Sequence, residues 1–283
     1  MWPFEKRKKD VLVLGCRGML GSDVMARFEE MSRDPESGIG RVVGLDREDG
    51  VRLDSDEVLA KDGLRTWFRR NGRFGLCLNC AAFTDTKAAE SGDGRAASWR
   101  LNALAPRYVA RACFEAGAEL VHVSTDYVFS QFSHGGEWAA SRRGFGEYDE
   151  PFPCNAYGEH KLAGEAFAKE EAKELGGRLR ILRTSWLYGA KGNKSFVHRF
   201  AKNVARSLRE GKADIETTSN EFSVPTATAT VVRYMESVAL GRFDSWAPDV
   251  VNAVPKWGGA EPPSRLDFAQ AALDELAKRD ARF

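Results

Sequence analysis

The sequence predicts an α/β fold, namely a Rossmann-type doubly wound parallel sheet with a smaller C-terminal domain that binds substrate. Short apolar runs alternate with helix-length amphipathic stretches, which is typical of a sheet covered by helices. The runs are continuously apolar, as expected for parallel strands buried on both faces. A glycine-rich turn directly follows the first run. The length of 283 residues is enough for about two domains.

The pattern predicts five strands of the main sheet and the helices between them. We expect strands over 11–14, 41–45, 76–82, 120–124 and 178–183, and helices over 19–30, 54–70, 98–116, 157–174 and 265 to about 282. The predicted domains are 1–187, with roughly the first ten residues flexible, and 188–283. We expect the chain to return to the first domain near 226–253.

Composition excludes several classes of function. The 42 Lys and Arg residues balance 41 Asp and Glu residues, so charge gives no argument for binding nucleic acid. No apolar run reaches the ~18 residues that cross a bilayer, and the first residues do not resemble a secretory signal. We therefore expect a cytoplasmic protein without a membrane partner. Cys77 and Cys80 would point to opposite faces of one strand, so no metal site is expected.

The first strand runs into Gly15, Gly18 and Gly21, spaced G-x-x-G-x-x-G, and a helix follows. Bare backbone lets a pyrophosphate approach, and the helix N-terminus supplies N–H donors, so this turn predicts a dinucleotide site. A tight turn without a ligand is the alternative. Asp46, after the second strand, favours NAD through its ribose, whereas Arg17 and Arg47 favour the 2′-phosphate of NADP. We expect NADPH, with NADH possible.

Two segments carry candidate chemistry. Tyr157 and Lys161 lie four residues apart, on one face of a predicted helix. An ammonium near a phenol would lower the phenol pKa and suit it to proton transfer. Thr125 follows the fourth strand, where its hydroxyl could bind a substrate carbonyl. Taken alone, the Tyr–Lys spacing also fits a surface tyrosine beside a solvated lysine.

Six motifs occur in order and together resemble the extended short-chain dehydrogenase/reductases, most closely the dTDP-4-dehydrorhamnose reductase family. The similarity covers roughly residues 11 to 230. The motifs are Gly15 to Gly21, Asn79 to Thr84, Asn102 to Pro106, Ser124 to Phe129, Tyr157 with Lys161, and Arg183 to Gly189.

The resemblance implies that a nicotinamide hydride reduces the 4-keto group of a nucleotide-linked 6-deoxysugar, and it is compatible with a homodimer. Tyr157 would donate the proton, Lys161 would bind the nicotinamide ribose, and Thr125 would polarise the carbonyl. The implied cofactor contacts are Gly15, Arg17, Gly18, Met19, Leu20, Gly21, Asp46, Arg47, Asp54, Ser55, Ala81, Ala82, Phe83, Asn102, Val123, Tyr157 and Lys161. The implied substrate contacts are Thr84, Thr125, Asp126 and Trp186.

Departures from the family pattern surround the substrate rather than the cofactor. Ser223 and Val224 stand where Gly-Ser is typical, and the loop 130–155 is long and predicted to close over substrate. A 4,6-dehydratase would need a glutamate after Asp126, where this chain has Tyr127. An epimerase of the same fold stays open as an alternative, as does a non-catalytic NADP-binding role like that of the methionine adenosyltransferase regulatory subunit.

Overall fold

The computed structural model describes residues 8–55, 57–129, 145–191, 195–212, 215–219, 221–242, 250–252 and 262–279, with backbone only at 57–61. Its strands are β1 Lys9–Leu14, β2 Ile39–Leu45, β3 Leu76–Asn79, β4 Glu119–Thr125, β5 Leu179–Thr184, β6 Leu187–Tyr188, β7 Thr226–Ala227 and β8 Val250–Asn252. Its helices are α1 Met19–Arg33, α2 Glu57–Asn71, α3 Gly92–Ser98, α4 Ala105–Glu115, α5 Ala156–Leu175, α6 Phe196–Arg209, α7 Thr228–Ala239 and α8 Arg265–Arg279.

The predicted doubly wound parallel sheet is confirmed. Within the described residues, β2-β1-β3-β4-β5-β8 form one sheet with every neighbouring pair parallel. In this sheet β2 lies on one side of β1 and β3 lies on the other, so the strand order reverses at β1. Because ligands bind where the strand order reverses, the crevice beyond the carboxyl ends of β1 and β3 is the expected site.

Two predicted boundaries were wrong. The third strand ends at Asn79 rather than at residue 82, because Ala81 N bonds the Asn79 side chain at 3.2 Å and the backbone turns away from the ladder. The predicted helix 98–116 instead begins as the π-helical turn Trp99–Leu104, which follows α3, and continues as α4.

Apolar side chains cover both faces of the sheet. On one face, Val24 and Phe28 of α1 pack with Val231 and Met235 of α7. On the other face, the side chains come from α2, α4 and α5 and include Phe68, Val109, Cys113 and Ala168. Burying one large apolar side chain stabilises the fold by about 1.5–3 kcal/mol, so these two layers hold the strand ends in place.

The C-terminal part contributes to the main sheet and also forms a smaller unit. The strand β8 pairs with β5, with Val251 opposite Leu182. A separate two-stranded sheet joins β6 to β7, and Phe200, Val204 and Ala269 form an apolar cluster between α6 and α8. The division into domains at residues 187 and 188 stays a prediction.

Candidate active site

The glycine turn after β1 is shaped by close backbone contacts. Gly15 has φ +73°, a conformation that L side chains rarely adopt, and a Cβ there would lie 2.8 Å from the Ala81 Cα. A Cβ on Gly21 would lie 2.0 Å from the Gly15 carbonyl oxygen. The two glycines therefore let the loop after β3 and the first turn of α1 close on the end of β1. This aims the N-terminus of α1 at the crevice.

The crevice itself is a cleft of about 410 Å³ at the point where the strand order reverses. Eight of the predicted cofactor contacts line it, namely Gly15, Arg17, Gly18, Asp46, Arg47, Asp54, Ala81 and Ala82. The other predicted contacts do not line this cleft. Among them, Leu20 is only 7% exposed and packs in the core with Val24, so its side chain serves α1 rather than a ligand. Met19, Gly21 and Ser55 flank the cleft in sequence.

Charged groups at the mouth of the cleft are paired with one another. The Arg17 guanidinium donates to both oxygens of Asp49, at 2.6 and 2.9 Å. This bond is the main reason that the pKa of Asp49 lies below its ordinary value. The Asp46 carboxylate accepts from the backbone N–H groups of Arg17, at 3.1 Å, and Arg47, at 2.9 Å. Arg47 is exposed. The predicted phosphate-binding residues Arg17 and Arg47 thus lie beside Asp46, the predicted ribose-binding residue. Asp49 belongs to the same group of charges and was not predicted.

Asn102 supports the cofactor-side loop from within the protein. It is fully buried, and its side-chain oxygen accepts from Phe83 N at 3.0 Å while its amide donates to Phe83 O at 2.9 Å. These two bonds hold the loop after β3 through its backbone. Both side-chain groups of Asn102 are thereby engaged with the loop.

Thr125, Tyr157 and Lys161 come together where β4 meets the start of α5. Asn155 begins the helix by accepting from Gly158 N at 2.7 Å. A Cβ on Gly158 would lie 2.2 Å from the Tyr127 carbonyl oxygen, so glycine lets α5 approach the end of β4. The Thr125 hydroxyl lies near the Tyr157 phenol and acts on its pKa. Lys161 is 1% exposed, and its Nζ donates to Val123 O at 2.6 Å.

The electrostatics of this cluster differ from the expectation for the phenol. Burial raises the pKa of Tyr157 above its ordinary value, and the charge of Asp126 raises it further, against the bond from Thr125. The expected lowering by Lys161 was wrong, because desolvation dominates. The phenol therefore stays protonated at neutral pH, as a proton donor must. Burial lowers the pKa of Lys161 to about 8, opposed first by the charge of Glu165.

Asp126 is surrounded by hydroxyl groups. Thr125 Oγ1 donates to Asp126 Oδ1 at 3.2 Å, and Ser223 Oγ donates to Oδ2. The hydroxyls of Ser185 and Ser223 bond each other. Burial raises the pKa of Asp126, and the three hydroxyls oppose that rise. Sequence reasoning missed Ser185 and Ser223 as site residues, although Ser223 stood out as a departure from the family pattern.

The predicted substrate contact Trp186 is held by the C-terminal part. Its φ of +35° is in the left-handed region, a strain of about 1–3 kcal/mol for a bulky residue. Its ring stacks on Phe268, with centroids 6.0 Å apart, and the Arg265 guanidinium lies 4.6 Å over it. Arg265 Nε also donates to Glu221 at 2.6 Å. These contacts fix the orientation of the indole.

The remaining predictions concern Thr84, the loop 130–155, a metal site and a membrane span. Thr84 is exposed. Of the loop predicted to close over substrate, residues 130–144 lie outside the described residues, while Phe145 stacks on Phe129 at 4.6 Å. Among the residues that the structure describes, no group of three or more His, Cys, Asp or Glu side chains could hold a metal ion. Likewise, no helix in that part is long and apolar enough to span a bilayer.

Known proteins of one family are similar to this chain. A family described as the RmlD substrate binding domain matches residues 9–282. A dTDP-4-dehydrorhamnose reductase of Mycobacterium tuberculosis is 35% identical over 82% of this chain and 66% of its own length, so the match spans just under two thirds of that relative. The protein of that name from Mycolicibacterium smegmatis is 30% identical, over 90% of this chain and 71% of its own.

Similar solved structures include a dTDP-4-dehydrorhamnose reductase from Bacillus anthracis str. Ames in complex with NADP. It has a TM-score of 0.73 and 26% identity, covering 95% of this chain and 81% of that chain.

Proposed function

The chain belongs to the RmlD substrate-binding domain family, and we propose that it is an NADPH-dependent reductase of a nucleotide-linked 4-keto-6-deoxysugar, acting as its named relatives do. The observation that carries the proposal is the meeting of α5 with the carboxyl end of β4: the buried Lys161 donates to Val123 O, and Tyr157, one turn earlier on α5, lies near Thr125. A homodimer and a cytoplasmic location stay predictions.

The residues of the chain divide the work of ketone reduction. Tyr157 holds the proton that the carbonyl oxygen takes up, and its raised pKa keeps that proton in place until the oxygen becomes basic. Thr125 would turn its hydroxyl from Asp126 to the same oxygen, so that the carbonyl lies beside the phenol. Lys161 contributes positive charge beneath the pair. Asp126 and Trp186 would bind the sugar nucleotide beside them.

The crevice fits a dinucleotide cofactor. A Cβ at Gly15 or Gly21 would fill space that is occupied by backbone, and Gly15, Arg17 and Gly18 line the cleft where α1 begins. Arg17 and Arg47 at the mouth favour a 2′-phosphate, which supports NADPH over NADH. The nicotinamide, when bound, supplies the hydride. Gly15, Gly18, Asp46, Ala81 and Ala82 would hold the adenosine and pyrophosphate, and Val123, Tyr157 and Lys161 would face the nicotinamide ribose.

The direct test is a panel of nucleotide-linked keto sugars with the purified protein. We expect oxidation of NADPH in proportion to the alcohol formed, with a 4-keto-6-deoxysugar on dTDP as the preferred substrate. Isomer formation without consumption of reductant would instead support the epimerase alternative. Binding of NADPH with no turnover of any ketone, together with association with a large partner, would support the regulatory alternative.

A further inference from the structure

A buried ion pair joins α5 to β5 next to the reactive cluster. Glu165 is fully buried and Arg183 is 3% exposed. Arg183 Nε donates to Glu165 Oε1 at 3.0 Å, and Nη2 donates to Oε2 at 2.7 Å. The same guanidinium lies 4.9 Å over the Phe129 ring. Two buried charges of this kind are costly to desolvate, so the pair is weak evidence for stability and calls for another explanation.

The pair also contacts the strand that carries the reactive hydroxyl. Ser124 Oγ donates to Glu165 Oε1 at 2.6 Å, and Thr184 Oγ1 donates to Ser124 O at 3.2 Å. Lys161, one helical turn before Glu165, donates to Val123 O. The helix that carries Tyr157 and Lys161 is thus bonded to successive residues of β4 that lead directly to Thr125. A shift of α5 along the sheet would break the bonds of Lys161 and Glu165 to β4 together.

Glu165 is the anion that acts on Lys161. The other titratable groups near Lys161 are Cys80 after β3, His122 of β4 and Tyr157 on the same helix, with Arg183 of β5 behind Glu165. Burial raises the pKa of Cys80 to about 12 and lowers that of His122 well below its ordinary value, so both are neutral at pH 7. Burial of Lys161 itself favours loss of its proton, and Glu165 is the largest opposing influence.

We propose that Glu165 is a positioning residue that keeps Lys161 in its ammonium form and holds α5 in register with the end of β4. The inference rests on the proposed function for its catalytic meaning, since Lys161 would need its charge beside the phenol and the cofactor ribose. Arg183 balances the charge of Glu165 and fixes its two oxygens. Neither Glu165 nor Arg183 touches the reacting atoms.

Glu171 offers a matched control on the same helix. It is 1% exposed and pairs with Arg107 at 2.9 Å and with Arg111 at 3.5 Å. Glu165→Gln and Glu171→Gln therefore each neutralise a buried, arginine-paired glutamate of α5. Both variants are expected to lower the urea midpoint of unfolding. Only the first removes the anion near Lys161.

The experiment follows the charge of Lys161 by NMR in cofactor-free protein labelled with ¹³C at the lysine ε carbon. The Lys161→Met variant assigns the resonance. We expect Lys161 to titrate about one pH unit lower in Glu165→Gln and unchanged in Glu171→Gln. In the NADPH assay, the alkaline limb of kcat should move to lower pH in Glu165→Gln only. An unmoved Lys161 titration in Glu165→Gln would overturn the proposal and leave the pair a structural role.

Two further outcomes are distinguishable. If Glu165→Gln does not fold, the double variant Glu165→Gln, Arg183→Gln also removes the unpaired guanidinium, and its Lys161 titration should still lie below that of the parent, by less than one pH unit. Failure of both to fold, while Glu171→Gln folds, would also overturn the proposal. A wild-type protein that reduces no keto sugar would refute the proposed function alone, because the NMR titration needs no substrate.

Discussion

Ser223 Oγ donates to the Asp126 carboxylate although 97 residues separate them, and Thr125 Oγ1 also donates to Asp126 at 3.2 Å. The two hydroxyls and the carboxylate therefore form one connected chain at the end of β4, close to Tyr157. Because desolvation holds the proton on Tyr157, the phenol beside this chain is a neutral acid at neutral pH.

Replacing Tyr157 by Phe should remove the positioned acid while leaving the ring in place. We expect kcat to fall by about 10²–10⁴ and the Kd for NADPH to change little. The checks are steady-state reduction and cofactor fluorescence titration. Tyr127→Phe is a suitable control, since that ring packs edge-on against Tyr157, with centroids 5.6 Å apart, and should retain activity within a few-fold. Full activity in Tyr157→Phe would refute the proton-donor assignment.

The buried Lys161 should make stability depend on pH in a defined window. Its pKa falls from 10.5 in the unfolded chain to about 8 in the folded protein, so between these values the unfolded state binds more protons. The free energy of unfolding, taken relative to Lys161→Met, should therefore rise by roughly 3 kcal/mol as pH increases from 8 to 10.5. Urea titrations at several pH values measure the difference. A difference that stays flat would show that Lys161 is not desolvated.

The Arg17–Asp49 pair should restrain binding of NADPH more than of NADH. Asp49 accepts from both terminal nitrogens, Nη1 and Nη2, of the Arg17 guanidinium, and its negative charge repels a 2′-phosphate. Asp49→Asn keeps an oxygen for the backbone of Asp46 but releases Arg17. We expect it to lower the Kd of NADPH a few-fold, since exposed pairs are weak, and to leave that of NADH unchanged.

Arg17→Ala should do the opposite and weaken NADPH selectively. Isothermal titration with both cofactors distinguishes these outcomes. If the Kd values of the two cofactors change equally in both variants, Arg17 does not bind the 2′-phosphate.

Ser223→Ala should shift the acid limb of the pH–rate profile to higher pH. Its hydroxyl is the first of three that oppose the effect of burial on the pKa of Asp126, so losing it raises that pKa further. As the solution is acidified, the Asp126 carboxylate would then take up a proton and lose its charge at a higher pH than in the parent. Ser264→Ala is the matched control, because the carboxylate to which Ser264 donates, at 2.7 Å, is that of Asp267 rather than Asp126. Coincident acid limbs in Ser223→Ala and the parent would contradict the assignment.

Local sequence patterns were sufficient to predict much of the fold and of the cofactor-binding crevice. The order strand, glycine turn and helix predicted the crevice, because a buried parallel strand and a helix N-terminus are each encoded within a few residues. The spacing of Tyr157 and Lys161 placed both on one helical face for the same reason. The end of β3 was misjudged, since an apolar run cannot show where a side chain such as Asn79 captures the backbone.

By itself, the sequence determined the α/β class, the dinucleotide turn, the candidate acid and its family resemblance. Only the tertiary structure decided which distant groups meet: Ser223 bonds Asp126 across 97 residues, and Arg183 pairs with Glu165 across the gap between a helix and a strand. It also decided the protonation of Tyr157 and Lys161. The physical reason is that desolvation and charge pairing depend on what the whole fold packs around a group, whereas periodicity and spacing record only its neighbours along the chain.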